Sequence, residues 1–545
     1  MLISLLFRLC LAALFLTRGV CAATEANPIT APASVEQWGL FEASLQGPTD
    51  GNPFLQVRFT AVFTNGARTV EVDGFHDGDG VYRVRFMPDT QGEWRFETRS
   101  NRWPLAGKRG SFVATAPSKG NHGPVGVRNT YHFGYADGTP FRQVGTTSYT
   151  WTHRPEEIQE QTLKTLAASP FNKLRMCVLP QAHGIELMPP KLWPFEGTPQ
   201  QWDYTRFNPA FFQHLEKRVG QLRDLGIECD LILFHPYDNR EDWGFETMDP
   251  ETDDRYLRYV VARLAACRNI WWSMANEYDF LPTKTEADWD RFFQIVRQSD
   301  PYNHLRSIHN GDRLYNHNQP WVTHVSIQNG ATLNDAGRAE LYRDVYQKPI
   351  VYDEAKYEGD SLHRWGNLSA PEMVHRFWAG TVAGTYVGHS EFFGPPEGVV
   401  WLGQGGVLKG ESPDRLGFLR RIMEEGPAAG IEPIDQWKDP YAWRSRPVGD
   451  GLAEPHIGGQ AGEYYLVYFG RSAPKSWAIE LYKSELSDGL RFQAEVIDTW
   501  AMTVTPVVGT FTLKRRDDHH FTDANGRAIA LPGKPHVAIR LRRVP

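Results

Sequence analysis

The chain has few cysteines for its length: five in 545 residues, with no C-x-x-C pair among them. Cys10 and Cys21 lie close to the N-terminus, which leaves Cys177, Cys229 and Cys267 for the rest of the chain. These three lie within or beside segments with the apolar pattern of buried elements. One disulfide is compatible with this count, but we expect buried free thiols, and the spacing does not favour a zinc site.

An excess of positive charge is also missing. The chain has 58 Lys and Arg residues against 65 Asp and Glu residues, a formal net charge of −7. This acidic balance argues against nucleic acid or an anionic membrane surface as a partner. No H-x-H or H-E-x-x-H spacing occurs, so we predict no bound metal and no other cofactor. The sequence leaves open whether the protein is a monomer or a homo-oligomer.

Long apolar runs are absent except at the start of the chain. Residues 1–23 are typical of a signal peptide, with Arg8 as the charged residue, an apolar run over Leu9–Leu16 and small residues at Cys21-Ala-Ala23. The run is too short to span a bilayer comfortably. Val20 fits a lipid-attachment site poorly. We therefore expect a soluble protein that is secreted or periplasmic.

The hydrophobic pattern changes twice along the chain. Over 35–118, short alternating runs such as Val81–Phe86 are separated by turn signals such as Thr64-Asn-Gly66, which predicts a β-sandwich. Over 119–427, apolar runs alternate with helical patterns. Over 428–545 the pattern is again that of short strands, which predicts a second small β-sandwich. The predicted fold is α/β, a (β/α)8 TIM barrel flanked by N-terminal and C-terminal β-sandwich domains.

The middle region contains eight strand–helix units, the number that a TIM barrel requires. The predicted strands are Phe141–Ser148, Lys173–Leu179, Glu228–Phe234, Ile270–Ala275, His304–His309, Val322–Gln328, Pro349–Glu354 and Thr385–Phe392. Active sites of such barrels lie at the C-terminal ends of the strands. Polar residues at these ends are therefore the candidate functional residues.

Two carboxylates stand out among them. Asn276-Glu277 follows the buried fourth strand directly, and Glu354 ends the seventh. Two carboxylates at one barrel mouth can cleave a glycosidic bond if one donates a proton to the leaving oxygen and the other attacks the anomeric carbon. Asp353 and Glu358 are the rivals of Glu354. Because side chains alternate along a strand, we expect only one of Asp353 and Glu354 to point into the barrel.

Other strand ends supply candidate substrate-binding residues. We expect Arg175 and His309 to keep the attacking carboxylate ionised and oriented, and Asn276 to bind a sugar hydroxyl. Aromatic faces stack on sugar rings, so we expect Trp151 and Trp401 to serve as platforms. The remaining candidates for sugar contact are His235, Gln328 and Glu391.

These residues resemble the clan A glycoside hydrolases, retaining enzymes with the acid/base on strand 4 and the nucleophile on strand 7. The resemblance implies Glu277 as acid/base and Glu354 as nucleophile. The stretches Phe86-Met-Pro-Asp-Thr-Gln-Gly-Glu-Trp94, His122-Gly-Pro-Val125 and Val496-Ile-Asp-Thr-Trp-Ala-Met502 are similar to the apiosidase-like barrel proteins, which carry a β-domain on each side of the barrel. The tyrosine that many clan members have on strand 6 has no counterpart here.

The resemblance implies an oligosaccharide or polysaccharide of plant or microbial origin as substrate, with apiose release one option among several. Two alternatives stay open. A catalytically silent carbohydrate-binding protein could use the same barrel, because a fold does not determine function. A metal-dependent hydrolase is the second alternative, since several histidines lie near strand ends, although none has metal-binding spacing.

Overall fold

The structure is a computed structural model that describes residues 29–181, 189–238, 243–328, 333, 336–394, 400–434 and 455–545. The predicted signal peptide over 1–23 lies outside these ranges. Within them, no helix is both long enough and apolar enough to cross a membrane.

An eight-stranded parallel sheet forms the middle of the molecule. Its strands are Gly145–Thr147, Lys173–Cys177, Glu228–Phe234, Ile270–Ala275, Leu305–Ser307, Val325–Gln328, Ile350–Glu354 and Tyr386–His389. Each strand pairs with its sequence neighbours except the fifth with the sixth, and the first pairs with the eighth. A parallel bridge between His309 and Ser326 joins the fifth strand region to the sixth. The sheet therefore closes into the predicted barrel.

Helices follow most of the barrel strands. They span Glu156–Ala168, Pro209–Asp224, Pro250–Leu264, Glu286–Ser299, Ala336–Tyr346, Ala370–Val382 and Ser412–Glu424, with a short helix at Trp401–Gln404. The third starts at Pro250, directly after a capping residue. The carboxylate of Asp249 accepts the backbone N–H of Thr252 at 2.7 Å, and Pro250 occupies the first turn. Such a cap sets the start of a helix more firmly than apolar spacing does.

The predicted first strand, Phe141–Ser148, is divided in the structure. Pro140–Phe141 belongs to a three-stranded antiparallel sheet with Val125–Arg128 and His132–Tyr135. The rings of Phe133 and Phe141 lie 4.9 and 6.0 Å from that of Trp271, near the start of the fourth barrel strand. This small sheet therefore covers the N-terminal end of the barrel, away from the candidate site.

A seven-stranded sheet precedes the barrel, antiparallel except where its first strand pairs in parallel with its last. Its strands are Ser34–Glu36, Phe41–Gln46, Phe59–Asn65, Arg68–His76, Val81–Phe86, Gly92–Ser100 and Arg109–Thr115. Aromatic rings fill its core, and Phe63 stacks on Phe86 at 4.2 Å. Arg263, on the third barrel helix, forms a 2.7 Å ion pair with Asp77. This region therefore packs on the barrel.

A nine-stranded antiparallel assembly follows the barrel. Its strands are Glu432–Pro433, His456–Gln460, Tyr464–Tyr468, Leu481–Tyr482, Arg491–Asp498, Thr503–Pro506, Phe511–Arg515, His520–Asp523 and Val537–Val544. His375, on a barrel helix, lies 2.9 Å from the hydroxyl of Tyr468.

The cysteine prediction is confirmed for the described residues. Cys177, Cys229 and Cys267 are buried free thiols. Burial raises the pKa of each of these thiols, so they stay protonated at neutral pH.

Candidate active site

Glu277 lies just beyond the end of the fourth barrel strand in a left-handed backbone conformation, with φ 44° and ψ 52°. A non-glycine residue in this region is strained by about 1–3 kcal/mol. Gln328, at the end of the sixth strand, donates from Nε2 to Oε1 of Glu277 at 2.8 Å. The hydroxyl of Tyr237 donates to the other carboxyl oxygen, Oε2. The carboxyl group is thus held from two sides.

The surroundings of Glu277 favour its protonated form. Burial raises its pKa to about 7, and the nearby carboxylate of Glu354 acts in the same direction. The hydrogen bonds from Tyr237 and Gln328 favour the charged form and only partly oppose this shift. A carboxyl group with a pKa near neutrality can both donate and accept a proton at physiological pH.

Glu354 lies across the barrel mouth, at the end of the seventh strand. Its Oε1 accepts a hydrogen bond from the hydroxyl of Tyr149, which follows the first strand. Nε2 of His309 lies 3.5 Å from the same oxygen. Burial, and after it the nearby charge of Glu354, raises the pKa of the Tyr357 hydroxyl. Tyr149 therefore takes the supporting position for which no strand-6 tyrosine is available.

The side chains of Asp353 and Glu354 both contact groups inside the barrel, although strand alternation predicts that only one points inward. The pairing register between the sixth and seventh strands shifts between Ser326 and Gln328, and such an irregularity breaks the alternation of side chains. Asp353 lies deeper, 2.7 Å from Lys173 Nζ. Burial would raise the pKa of Asp353, but the charges of Lys173 and Arg175 lower it below its usual range. Asp353 is therefore a partner in an ion-pair network rather than the exposed nucleophile.

Arg175 contacts Asn276 directly, and its charge also interacts with that of Glu354. Its guanidinium donates to Oδ1 of Asn276 at 2.8 Å and to Asp230 at 3.2 Å. The amide of Asn276 donates to the hydroxyls of Tyr237 and Tyr149, at 2.8 and 3.4 Å. Asn276 is fully buried, so it orients the two tyrosines that contact the carboxyl groups. It is not placed to bind a sugar from solvent.

The two candidate histidines are buried and neutral. Burial, together with the charge of Arg175, lowers the pKa of His309 well below its usual value. Its Nδ1 lies 3.1 Å from Ser326 Oγ, which donates to Asp353 at 2.5 Å. With Nδ1 donating to Ser326, the Nε2 atom that faces Glu354 carries no hydrogen, so His309 supplies neither a charge nor a hydrogen bond to that carboxylate, and its predicted role is not supported.

His235 stacks on the ring of Tyr237, with centroids 5.5 Å apart. Burial lowers the pKa of His235 to about 4. Its Nδ1 accepts the backbone N–H of Tyr237, and its Nε2 donates to the carbonyl of Leu179 at 3.1 Å. These contacts fix the position of Tyr237 next to Glu277. His235 is therefore placed to act on the site through Tyr237, not as a direct sugar ligand.

Three predicted substrate-binding residues lie outside the cluster around Glu277 and Glu354. Trp151 and Trp401 are only 0% and 2% exposed and pack in the core of the barrel, so neither offers a ring face to a sugar. The carboxylate of Glu391 accepts the backbone N–H groups of Lys409 and Gly410. Its role is to hold that loop.

Sequence reasoning missed the tyrosines of the site. Tyr237 stands two residues after His235 in Phe234-His-Pro-Tyr-Asp238, and Tyr149 stands two residues before Trp151. Both lie in loops just beyond strand ends, where alternation no longer tells which side chain points inward. A search near each candidate carboxylate for hydroxyl donors, and not only for charged groups and imidazoles, would have included both tyrosines.

The barrel and this paired-carboxylate site define a glycoside hydrolase fold. The family described as "Apiosidase-like, catalytic domain" matches residues 127–401, and the chain belongs to this family. Two domains of unknown function, DUF5060 and DUF5605, match residues 34–101 and 454–542. Among curated proteins, none matches the chain.

Solved structures agree with this assignment. The chain is similar to a putative glycoside hydrolase from Bacteroides vulgatus ATCC 8482, with 40% identity and a TM-score of 0.88, covering 94% of this chain and 100% of that one. A family 5 glycoside hydrolase from the same organism has 17% identity and a TM-score of 0.57, covering 77% of this chain and 94% of that one. At that identity the second likeness concerns the fold alone.

Proposed function

We propose that the protein is a retaining glycoside hydrolase in which Glu277 is the acid/base and Glu354 the nucleophile. One observation carries this proposal. The two carboxyl groups are joined through Tyr237, Asn276 and Tyr149, and the pKa of Glu277 is raised to about 7 by burial and by Glu354. Glu277 is thus suited to hold a proton at neutral pH, while Glu354 is held by the hydroxyl of Tyr149.

The reaction follows from these roles in two steps. In the first, the carboxylate of Glu354 attacks the anomeric carbon, the bond to the leaving oxygen breaks, and Glu277 gives that oxygen its proton. In the second, Glu277 removes a proton from water as the water oxygen attacks the same carbon. The ester bond to Glu354 breaks, and both carboxyl groups return to their starting states. Two inversions at one carbon give net retention.

We propose an oligosaccharide or polysaccharide of plant or microbial origin as the substrate, and a secreted or periplasmic location. The family description makes apiosides one class to test. Trp365 offers an aromatic surface on the Glu354 side. Its side chain is 39% exposed, and its ring meets that of Tyr357 edge-on at 6.0 Å. The charge of Glu354 acts on the hydroxyl of Tyr357, so a sugar stacked on Trp365 would lie near the nucleophile.

The decisive experiment compares wild type, Glu277→Ala and Glu354→Ala on a panel of aryl glycosides with azide added. Azide can attack the glycosyl-enzyme formed by Glu277→Ala, so we expect a glycosyl azide of retained configuration. In Glu354→Ala, azide attacks the substrate directly and should give the inverted azide. Glu97→Ala, in the N-terminal sheet, is the matched control and should behave as wild type.

Other outcomes are equally informative. Inverted products from the wild type would contradict the double-displacement mechanism. If the wild type binds oligosaccharides in calorimetry but cleaves neither aryl glycosides nor pectic and hemicellulosic oligosaccharides, the chain is a carbohydrate-binding protein on the same barrel.

A further inference from the structure

Glu358, His389 and Glu391 form a second polar cluster, distinct from the pair Glu277 and Glu354. Each contributes one potential ligand atom, and these atoms all lie within 4.8 Å of one another. All three side chains are buried, with exposures of 3%, 0% and 2%. Glu358–Gly359 pairs in parallel with Glu391–Phe392, which places the two carboxylates side by side. The backbone pairing thus fixes the cluster independently of the catalytic pair.

The two carboxylates face the same short stretch of backbone. Glu391 accepts N–H groups from Lys409 and Gly410, while Glu358 accepts those of Glu411 and Ser412, at 2.8 and 3.2 Å. Within the described ranges, no Lys or Arg side chain forms an ion pair with either of them. Two buried carboxylates so close together repel each other when both are ionised, so a bound cation would stabilise the pair.

His389 supplies an independent sign of a ligand. Its Nδ1 lies 3.0 Å from Oγ1 of Thr146, which also accepts the indole N–H of Trp401 at 2.9 Å. Its Nε2 is buried and has no hydrogen-bond partner among the described residues. A neutral, oriented imidazole with one unused nitrogen is the form that binds metal ions.

We propose that Glu358, His389 and Glu391 bind one divalent transition-metal ion of the zinc type, in a structural role. Two carboxylate oxygens and one imidazole nitrogen suit Zn²⁺ better than Ca²⁺ or Mg²⁺, which prefer oxygen ligands alone. Ligand atoms about 2.0–2.2 Å from zinc lie closer together than 4.8 Å, so the side chains must draw in slightly on binding. This departs from the sequence-based expectation of no metal.

The ion would stabilise the connection into the last barrel helix. Its two carboxylate ligands already hold residues 409–412, where the helix Ser412–Glu424 begins. Gly410 is needed for this approach, because a Cβ atom there would lie 2.5 Å from Oε2 of Glu358 and 2.6 Å from Oε2 of Glu391. The proposal does not depend on the glycosidase mechanism, since the cluster shares no hydrogen-bond partner with Glu277 or Glu354 among the described residues.

The test uses the tag-free full-length protein, stripped with a chelator and dialysed. Zn²⁺ is then titrated by calorimetry, bound zinc is counted by elemental analysis, and thermal unfolding is followed with and without zinc. We expect one equivalent in the wild type and a rise of several degrees in Tm. His389→Ala and Glu391→Gln should each weaken binding at least about tenfold. Glu97→Gln is the matched control, because Glu97 pairs with Arg109 on the surface of the N-terminal sheet, away from the cluster.

Specific results would overturn the proposal. They are a wild type that binds no zinc, a Tm that zinc does not change, or binding that is equally strong in His389→Ala and Glu391→Gln. If these variants fail to fold, Co²⁺ bound to the wild type gives the answer. A visible absorption spectrum typical of nitrogen and oxygen ligands is expected, and its absence would count against the site. Failure here would leave the azide results unaffected, so the two proposals fail separately.

Discussion

The amide of Asn276 donates a hydrogen bond of 2.8 Å to the hydroxyl of Tyr237. Because that hydroxyl accepts from Asn276, its own hydrogen is free to point at Glu277, to which it donates. Hydrogen bonds are therefore donated in one direction, from Arg175 to Asn276, from Asn276 to Tyr237 and from Tyr237 to Glu277. The buried arginine determines how the acid/base is held, although it does not touch it.

Removing the hydroxyl of Tyr237 should change the pH profile. The hydrogen bond from Tyr237 lowers the pKa of Glu277, against burial and Glu354, which raise it to about 7. In Tyr237→Phe we therefore expect this pKa to rise. Since the acid must be protonated to act, the alkaline limb of kcat/KM, near pH 7 in the wild type, should move to higher pH. A pH series on one aryl glycoside measures this, with Tyr131→Phe as control. A limb that stays in place or moves down contradicts the assignment.

Proton donation by Glu277 predicts a dependence on the leaving group. In Glu277→Gln the side chain keeps its shape but has no acidic proton. Substrates with poor leaving groups should lose about 10²–10⁴-fold in the rate of the first step, the usual contribution of a positioned acid. Substrates with good leaving groups need little protonation and should lose much less. Pre-steady-state rates across a series of aryl glycosides check this. An equal loss for all leaving groups would assign Glu277 another role.

Replacing Arg175 should lower the free energy of unfolding. Its guanidinium is buried against Asp230 and near Asp353. Arg175→Met leaves these carboxylates with one cation fewer, and removing one partner of a buried ion pair costs about 3–5 kcal/mol. Chemical denaturation measures the loss in free energy of unfolding. Arg109→Met is the control, because Arg109 pairs with Glu97 on the surface and little change is expected. An equal loss in both variants would argue against the buried network.

The sequence predicts the barrel well because eight apolar strand patterns alternate with helical patterns. Each pattern can be recognised within a short stretch of sequence. It also predicts Glu277 and Glu354 as site residues, because a polar residue directly after a buried barrel strand lies at the mouth of the barrel. It does not predict the roles of Tyr149 and Tyr237, because these lie in loops whose backbone is set by tertiary contacts. The double inward placement of Asp353 and Glu354 was missed because a register shift leaves no mark in an apolar pattern.

Trp365 and Trp151 should respond in opposite ways to truncation. Trp151 is buried in the core, so Trp151→Ala should cost about 3–5 kcal/mol of stability. Trp365 is partly exposed beside Tyr357, so Trp365→Ala should raise KM, leave the free energy of unfolding nearly unchanged and change kcat little. Trp103→Ala is the control for an exposed tryptophan, since Trp103 is 70% exposed in the N-terminal region. Steady-state kinetics and denaturation of the three variants separate the two effects. An unchanged KM in Trp365→Ala would remove Trp365 as a sugar platform, because a stacked ring contributes binding energy that its loss must reveal.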